Sequence, residues 1–205
     1  MSVEGTQIVK LDLTGRVLDT YHFERLAVHD VCITPDGQRL LGFGTLLSSG
    51  AGLKPSKCRA EKQIIVYNLD RRVIETHVPL LHSIRDITLS RSGHFALISY
   101  EPKVAPQLWK LVAYYDWEKV EPIQTMTLSL RHTYIPKTAV DFAGPSSFGG
   151  RDDELVLCAG KCEPCFSRAT IYRAEETFKL EIFIYGTANP HHIYTTSERR
   201  LWVAT

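Results

Sequence analysis

No stretch of the sequence comes near the roughly 18 consecutive apolar residues that a membrane-crossing helix needs, and the opening MSVEGTQIVK has no apolar core of the kind a secretory signal carries. A spanning helix is excluded, no membrane is expected as a partner, and a cytoplasmic setting extending to the nucleus is expected. No sign of charge dominates either. Lys plus Arg number 24 against 23 Asp plus Glu, so no global field draws the chain to nucleic acid or to an anionic surface. Cysteine is scarce and odd in number: the five are Cys32, Cys58, Cys158, Cys162 and Cys165, unevenly spaced, which argues against a complete disulfide framework. Also missing are a Walker loop, a Gly-x-Gly-x-x-Gly fingerprint, a nucleophile elbow and a His-Glu-x-x-His helix motif. No enzymatic activity and no cofactor are therefore expected.

What the 205 residues do contain is repetition. QIVKLDLTGRVLDTY, from Gln7, overlays QIIVYNLDRRVIETH, from Gln63, at an offset of 56 residues. The match continues without a shift, HDVCITPDGQRLLGF from His29 lying on RDITLSRSGHFALIS from Arg85. Within it Asp30 meets Asp86, Gly37 meets Gly93 and Leu41 meets Leu97. Short stretches that alternate apolar and polar residues, separated by Pro-Asp-Gly or Ser-Gly, predict a meander of antiparallel hairpins. One such sheet cannot bury both faces alone, whereas repetition lets neighbouring sheets cover one another. The frame makes IIVYNL the last strand of one unit and RRVIETH the first of the next.

The next interval, from Leu69 to Leu111, is 42 residues, within the range of about 40–45 for a propeller blade. The surplus in the preceding repeat falls in TLLSSGAGLKPSKCRAEKQ, residues 45–63, read as an inserted surface loop. Residues 112–150 read as an irregular connection containing the strand-like MTLSLRH and TAVDFAG. DELVLCAG and SRATIYRAE read as the two inner strands and the outer strand of a later unit, KLEIFIYG as a further strand, and NPHHIYTTSERRLWVAT as a compressed remnant. The predicted fold class is all-β, a partial β-propeller of about four blade-like antiparallel units forming one domain over residues 1–205.

These segments resemble WD40 repeats, and more narrowly the propeller of the WD-repeat subunit of GID/CTLH-type ubiquitin ligases. DVCITPDGQRLLGF and DITLSRSGHFALIS resemble the inner part of the repeat, and IIVYNLDRRVIETH resembles its outer strand. The resemblance places Tyr67 and Trp109 at the aromatic position of the Trp-Asp dipeptide, with Tyr172 closing a later blade, and implies a structural role for all three. Asn68, Lys110 and Arg173 stand where the dipeptide has Asp, so blades held by apolar packing are expected rather than the usual polar network. Asp30 and Asp86 occupy positions resembling the turn aspartate of the family. FGGRDDELVLCAG, from Phe148, resembles a segment leading into inner strands. The resemblance implies a noncatalytic scaffold or substrate-recruiting subunit, with ligase subunits or their substrates as partners and RING-type subunits supplying the chemistry. The family's larger blade number implies open blade faces here, available for self-association.

The remaining chemistry favours ordinary readings. Cys158, Cys162 and Cys165 in CAGKCEPC would need a fourth ligand, from Cys58, His191 or His192, to hold zinc. The repeat frame instead puts Cys158 in a strand and the other two in a turn, as free thiols. Adjacent His191 and His192 fall on opposite faces of an extended chain, poor geometry for one metal. Arg71 with Arg72, and Arg199 with Arg200, are too small as clusters, and too poor in interleaved aromatics, for specific nucleic-acid binding. Protein contacts are expected at exposed positions beside the turns, with Asp30, Asp86, Arg71 and Arg72 as candidates, while Gly37 and Gly93 shape the turns themselves.

Overall fold

RLLGFGTL and KQIIVYN each contain an unbroken run without polar side chains at its centre, LLGFG and IIVY, whereas VLDTYH and VIETHVPL interleave apolar with polar residues. The first pattern suits a strand buried on both faces and the second a strand with one face in water. In the computed structural model all of these are strands. In chain order they are β1 (Ser2–Glu4), β2 (Gln7–Leu11), β3 (Val17–His22), β4 (Leu26–Ile33), β5 (Arg39–Leu46), β6 (Lys62–Asn68), β7 (Val73–Leu80), β8 (Ile84–Leu89) and β9 (Phe95–Tyr100). They continue as β10 (Gln107–Asp116), β11 (Ile123–Thr133), β12 (Asp141–Phe142), β13 (Ser147–Gly149), β14 (Leu155–Cys162), β15 (Phe166–Arg173), β16 (Lys179–Ile184), β17 (Ile193–Thr195) and β18 (Leu201–Val203). The structure describes residues 2–23, 25–47, 62–101, 103–116, 123–135, 141–142, 144–162, 166–173, 179–184, 193–195 and 201–203.

The strands form antiparallel blade-like sheets ordered β1-β2-β3, β4-β5-β6-β7 and β8-β9-β10-β11, then β12-β14-β15-β16 with β13 also on β14, and finally β17-β18. The central strands β5, β6 and β9 are buried along most of their length, while β3 and β7 are largely exposed. This is the arrangement of an all-β, partial WD40-like β-propeller with about four blades.

The repeat survives to the level of single hydrogen bonds. β2, β3, β4 and β5 recur 56 residues on as β6, β7, β8 and β9. β4 slips register between Val28 and Asp30, and β8 slips between Ile84 and Asp86, so each strand carries a bulge at the same repeat position. In the β4–β5 turn Thr34 N donates to Arg39 O at 2.9 Å and Gly37 N to Thr34 O at 2.8 Å. In the β8–β9 turn Ser90 N donates to Phe95 O at 2.9 Å and Gly93 N to Ser90 O at 2.9 Å. Gly37 and Gly93 sit at φ +70° and +72°, the left-handed region in which a Cβ costs about 1–2 kcal/mol. A Cβ added at Gly37 would meet nothing within 4 Å, so the cost there is backbone strain alone. Gly37→Ala is expected to lose about 1–2 kcal/mol in urea unfolding; an unchanged midpoint would mean that the turn does not hold this conformation.

Two sequence expectations need correction. IIVYNL and RRVIETH do not belong to separate sheets: β6 and β7 pair directly, from Lys62 opposite Leu80 to Asn68 opposite Val73. A tight turn between two strands of matching length closes a hairpin, so the sequence repeat begins in the middle of a sheet. DELVLCAG supplies one strand, β14, rather than two, and the strand inside it comes from β13, containing Phe148, and from β12. MTLSLRH lies within β11, and residues 48–61 of the expected loop lie outside the described residues.

The chain divides into two compact units, Met1–Ser83 with Val112–Leu128, and Ile84–Leu111 with Ser129–Thr205. In the first unit the core joins Ile8, Tyr21 and Phe23 to Leu26, Val28, Leu40, Ile65 and Tyr67. In the second, Leu97 and Leu108 pack with Tyr134, Phe142, Val156 and Cys158. There Arg85 Nη1 donates to Phe142 O at 3.1 Å, Thr88 Oγ1 to Ser146 O at 3.0 Å, and Ser146 N to Ser99 Oγ at 2.7 Å. These bonds satisfy backbone groups where the innermost strand of its sheet is broken between β12 and β13.

Candidate interaction surface

The β6–β7 turn is the best-defined exposed feature of the first unit. Asn68 Oδ1 accepts from Arg71 N at 2.9 Å, and Leu69 N donates to Gln38 O at 3.0 Å, tying this turn to the β4–β5 turn. Arg72 has φ +56°, a conformation costly for a residue with a Cβ unless its surroundings hold it. Its guanidinium donates to Asp19 at 2.8 and 3.0 Å and lies 5.5 Å above the Tyr21 ring. The Thr20 backbone N–H, and then Arg72, hold the Asp19 carboxyl below its ordinary range. Burial, then the hydrogen bond to Asp19, pushes the Tyr21 hydroxyl up. Arg72 therefore clasps β3 to the turn, although its side chain is 57% exposed. Its neighbour Arg71 is exposed, next to exposed Val73 and Ile74 at the start of β7. The turn exposes a cation and, close to it in sequence, two aliphatic side chains on a hydrogen-bonded hairpin.

Beneath that surface lies a buried polar group of side chains. Glu75 has 0% and Arg39 8% side-chain exposure, with Arg39 Nε 2.9 Å from Glu75 Oε2. Asn68 Nδ2 donates to Glu75 Oε1 at 2.8 Å, and Met126 N to Oε2 at 2.9 Å. Thr76 Oγ1 donates to Met126 O at 2.8 Å. Sequence inspection passed over this network, yet its signal was present. Asp19 and Glu75 stand 56 residues apart, so β3 and β7 carry an acid at the same repeat position, and each of these acids anchors an arginine.

The other singled-out residues divide by burial. Tyr67 is 4% exposed, with ring centroids 4.8 Å from Phe23 and 5.9 Å from Tyr21. Trp109 is 8% exposed; its Nε1 donates to Gln107 Oε1 at 3.2 Å, an oxygen that also accepts from the Tyr100 hydroxyl. Burial pushes the Tyr100 hydroxyl up to about 12. Tyr172 lies in β15 opposite Val156 and Lys179, and its side chain is outside the described residues.

Asp30 and Asp86 lie within strands, directly after the bulges, rather than in turns, and they belong to separate units. Asp30 is exposed, with Oδ1 accepting from Val31 N at 2.8 Å; Asp86 Oδ2 accepts from Thr88 Oγ1 at 3.2 Å. The turn acid of the first repeat is Asp36, whose carboxylate accepts from Thr34 Oγ1 at 2.6 Å and Gln38 N at 3.0 Å and titrates low for that reason. Ser92 takes its place in the next repeat, accepting from His94 N at 3.3 Å. Neither Asp30 nor Asp86 joins the Arg72 clasp.

Cys158 is 1% exposed in β14, and burial pushes its thiol up to about 12, so it stays protonated at neutral pH. Among the described residues, no three His, Cys, Asp or Glu side chains converge to hold a metal. Cys58, Cys165, His191, His192, Arg199 and Arg200 lie outside the described residues.

No protein-family model matches the chain. GID complex subunit 7 of Schizosaccharomyces pombe is 26% identical over 152 residues, covering 73% of this chain and 25% of the relative's own length. Among solved structures, a candidate 6-phosphogluconolactonase from Bacteroides fragilis superposes with a TM-score of 0.51 at 14% identity, over 93% of this chain and 54% of that one. The β-propeller domain of Myceliophteria thermophila Cps50 (Swd1) gives a TM-score of 0.48 at 12% identity, over 90% and 68%. At these identities a structural likeness speaks of fold alone. The chain has a WD40-like β-propeller fold and is related in sequence to a GID-complex subunit, of which it spans about a quarter.

Proposed function

We propose that this protein is a noncatalytic interaction scaffold, a substrate-recruiting part of a GID/CTLH-type ubiquitin ligase acting in the cytoplasm and nucleus. The observation that carries the reading is the β6–β7 turn, where exposed Arg71, Val73 and Ile74 stand on a hairpin locked by Asn68, Leu69 and Arg72. A cation and aliphatic groups held in one geometry suit a protein partner, because little side-chain or loop entropy is lost on binding. The sequence relation to a GID-complex subunit supports the choice of assembly. Such a scaffold works by raising the local concentration of its partners and needs no bond chemistry of its own. Asp30 and Asp86 are secondary contact candidates.

The test is capture of CTLH-type ligase subunits by the tagged chain, with Arg71→Glu/Val73→Asp as the probe. Both positions are exposed, so the fold, followed by circular dichroism, is expected to persist while capture falls about tenfold or more, as for loss of a binding hot spot. Ligase subunits absent from the capture would point to an independent WD40-like binding module. Capture unaffected by the double substitution would remove the turn from the interface.

A further inference from the structure

β3 and β7 each carry one extra residue against their inner neighbour, but at different repeat positions. On β3 the pairs step from Lys10 with Asp19 to Leu11 with Val17, leaving Leu18 over. On β7 they step from Val66 with Thr76 to Tyr67 with Ile74, and the residue left over is Glu75. A bulge re-aims the side chain it displaces. Asp19 keeps its place in the ladder and stays partly exposed, whereas the Glu75 side chain is fully buried. There Glu75 joins two segments far apart in sequence. Met126 of β11 belongs to the same compact unit as β7, and consecutive β7 residues take both of its backbone groups. Its N–H donates to Glu75 Oε2 at 2.9 Å, and its carbonyl accepts from Thr76 Oγ1 at 2.8 Å. The other carboxylate oxygen, Oε1, accepts from Asn68 Nδ2 at 2.8 Å, while Asn68 Oδ1 accepts from Arg71 N at 2.9 Å. Asn68 is 7% exposed, so water does not readily replace either partner.

We propose that this chain of bonds is a conformational latch, in which the seating of Met126 on β7 and the closed form of the β6–β7 turn are one cooperative event. The Asn68 amide is the joint. Its oxygen and nitrogen lie on one rigid plane, so an amide that turns its Nδ2 away from Glu75 also swings its Oδ1 away from Arg71 N. Glu75 is the other joint, since its two oxygens hold Met126 and Asn68 at once. When Met126 leaves, the carboxylate loses a fixed donor and is free to shift toward Arg39, drawing its second oxygen from Asn68. Coupling of this kind is reciprocal. A partner that holds the turn closed therefore also holds β11 in place, a consequence that rests on the reading of the Arg71 turn as a contact surface.

Amide hydrogen exchange of the whole chain, read residue by residue by NMR and without a partner, tests the latch. Thr76→Val removes the bond to the Met126 carbonyl and leaves every bond of the turn in place. Exchange of the Met126 amide and of the Arg71 amide is expected to speed up together, by about 5–10-fold, the equilibrium equivalent of one lost neutral hydrogen bond. The Gly15 amide, which donates to Asp12 O in the β2–β3 turn, should exchange as in the wild type. Asn68→Asp works from the other end. It keeps an acceptor for Arg71 N but sets a like charge against Glu75, and it should speed Met126 exchange at least as much. Circular dichroism verifies that each variant is folded, and Thr76→Val carries the test alone if Asn68→Asp is not. Faster exchange at Met126 with Arg71 unchanged would show that strand and turn open separately, and overturns the proposal. So does an unchanged rate at both amides, or a rise that Gly15 shares, which marks a general loosening. Capture of ligase subunits through Arg71 is a separate measurement, so its failure leaves the exchange result standing.

Discussion

Replacing Glu75 with alanine is expected to cost about 3–5 kcal/mol, the usual penalty for removing one partner of a buried ion pair. Glu75 is fully buried and accepts from Arg39, Asn68 and the Met126 backbone. Its loss strands a guanidinium of 8% side-chain exposure, an amide and a backbone N–H, none of which can turn to water without opening the sheet. A single domain is stable by only about 5–15 kcal/mol, so the variant should unfold at a much lower urea concentration. Glu75→Gln, which keeps a carbonyl acceptor but not the charge, should fall between wild type and Glu75→Ala. Removing both charges, as Arg39→Met/Glu75→Leu, should recover part of the loss, because an apolar pair can replace a buried ion pair. The recovery stays partial because Asn68 and Met126 remain unpaired. A Glu75→Ala loss below about 1 kcal/mol, the scale of an exposed pair, would falsify this assignment.

Tyr67→Ala is the second large effect. Truncating a buried aromatic side chain costs about 3–5 kcal/mol, and the rings of Phe23 and Tyr21, at 4.8 and 5.9 Å, both lose their partner. Because Tyr21 and Phe23 flank the first sheet while Tyr67 belongs to the second, the vacated volume lies between sheets, where the pair can close only by sliding. Tyr67→Phe keeps the ring and is expected to lose less than about 1.5 kcal/mol, as for other volume-conserving exchanges. Urea unfolding followed by tyrosine and tryptophan fluorescence measures both; near-equal stability of the two variants would show that the ring does not anchor the interface.

Much of the fold was legible because the repeat constrains it. A one-residue slip would send every side chain of a strand to the other face, so an offset that holds from Gln7 to Ser99 predicts paired strands, turns and even the repeated bulges. The boundary of a sheet was not legible. Sequence similarity cannot tell whether β7 opens a unit or closes one; hydrogen bonds between β6 and β7 decide that. Asp30 and Asp86 misled for a related reason, since a repeated acid looks the same whether it follows a bulge or caps a turn.

The β6–β7 turn was legible only in part. Arg71 and Arg72 are adjacent and chemically alike in the sequence. One is exposed and the other is fastened to Asp19, 53 residues away. Asp19 and Glu75 share a repeat position, yet one forms a clasp at the surface and the other a buried junction.

By itself the sequence determined what is local and periodic: strands whose apolar spacing matches their burial, glycine at left-handed turns, aromatic residues in central strands, and one register shared by successive repeats. Only the tertiary structure decided which strands share a sheet and which of two adjacent arginines is fastened to β3. The reason is physical. Local conformation follows from steric limits and side-chain alternation within a few residues, whereas pairing, burial and ion-pair geometry depend on groups brought together across the fold, whose distances no linear spacing encodes.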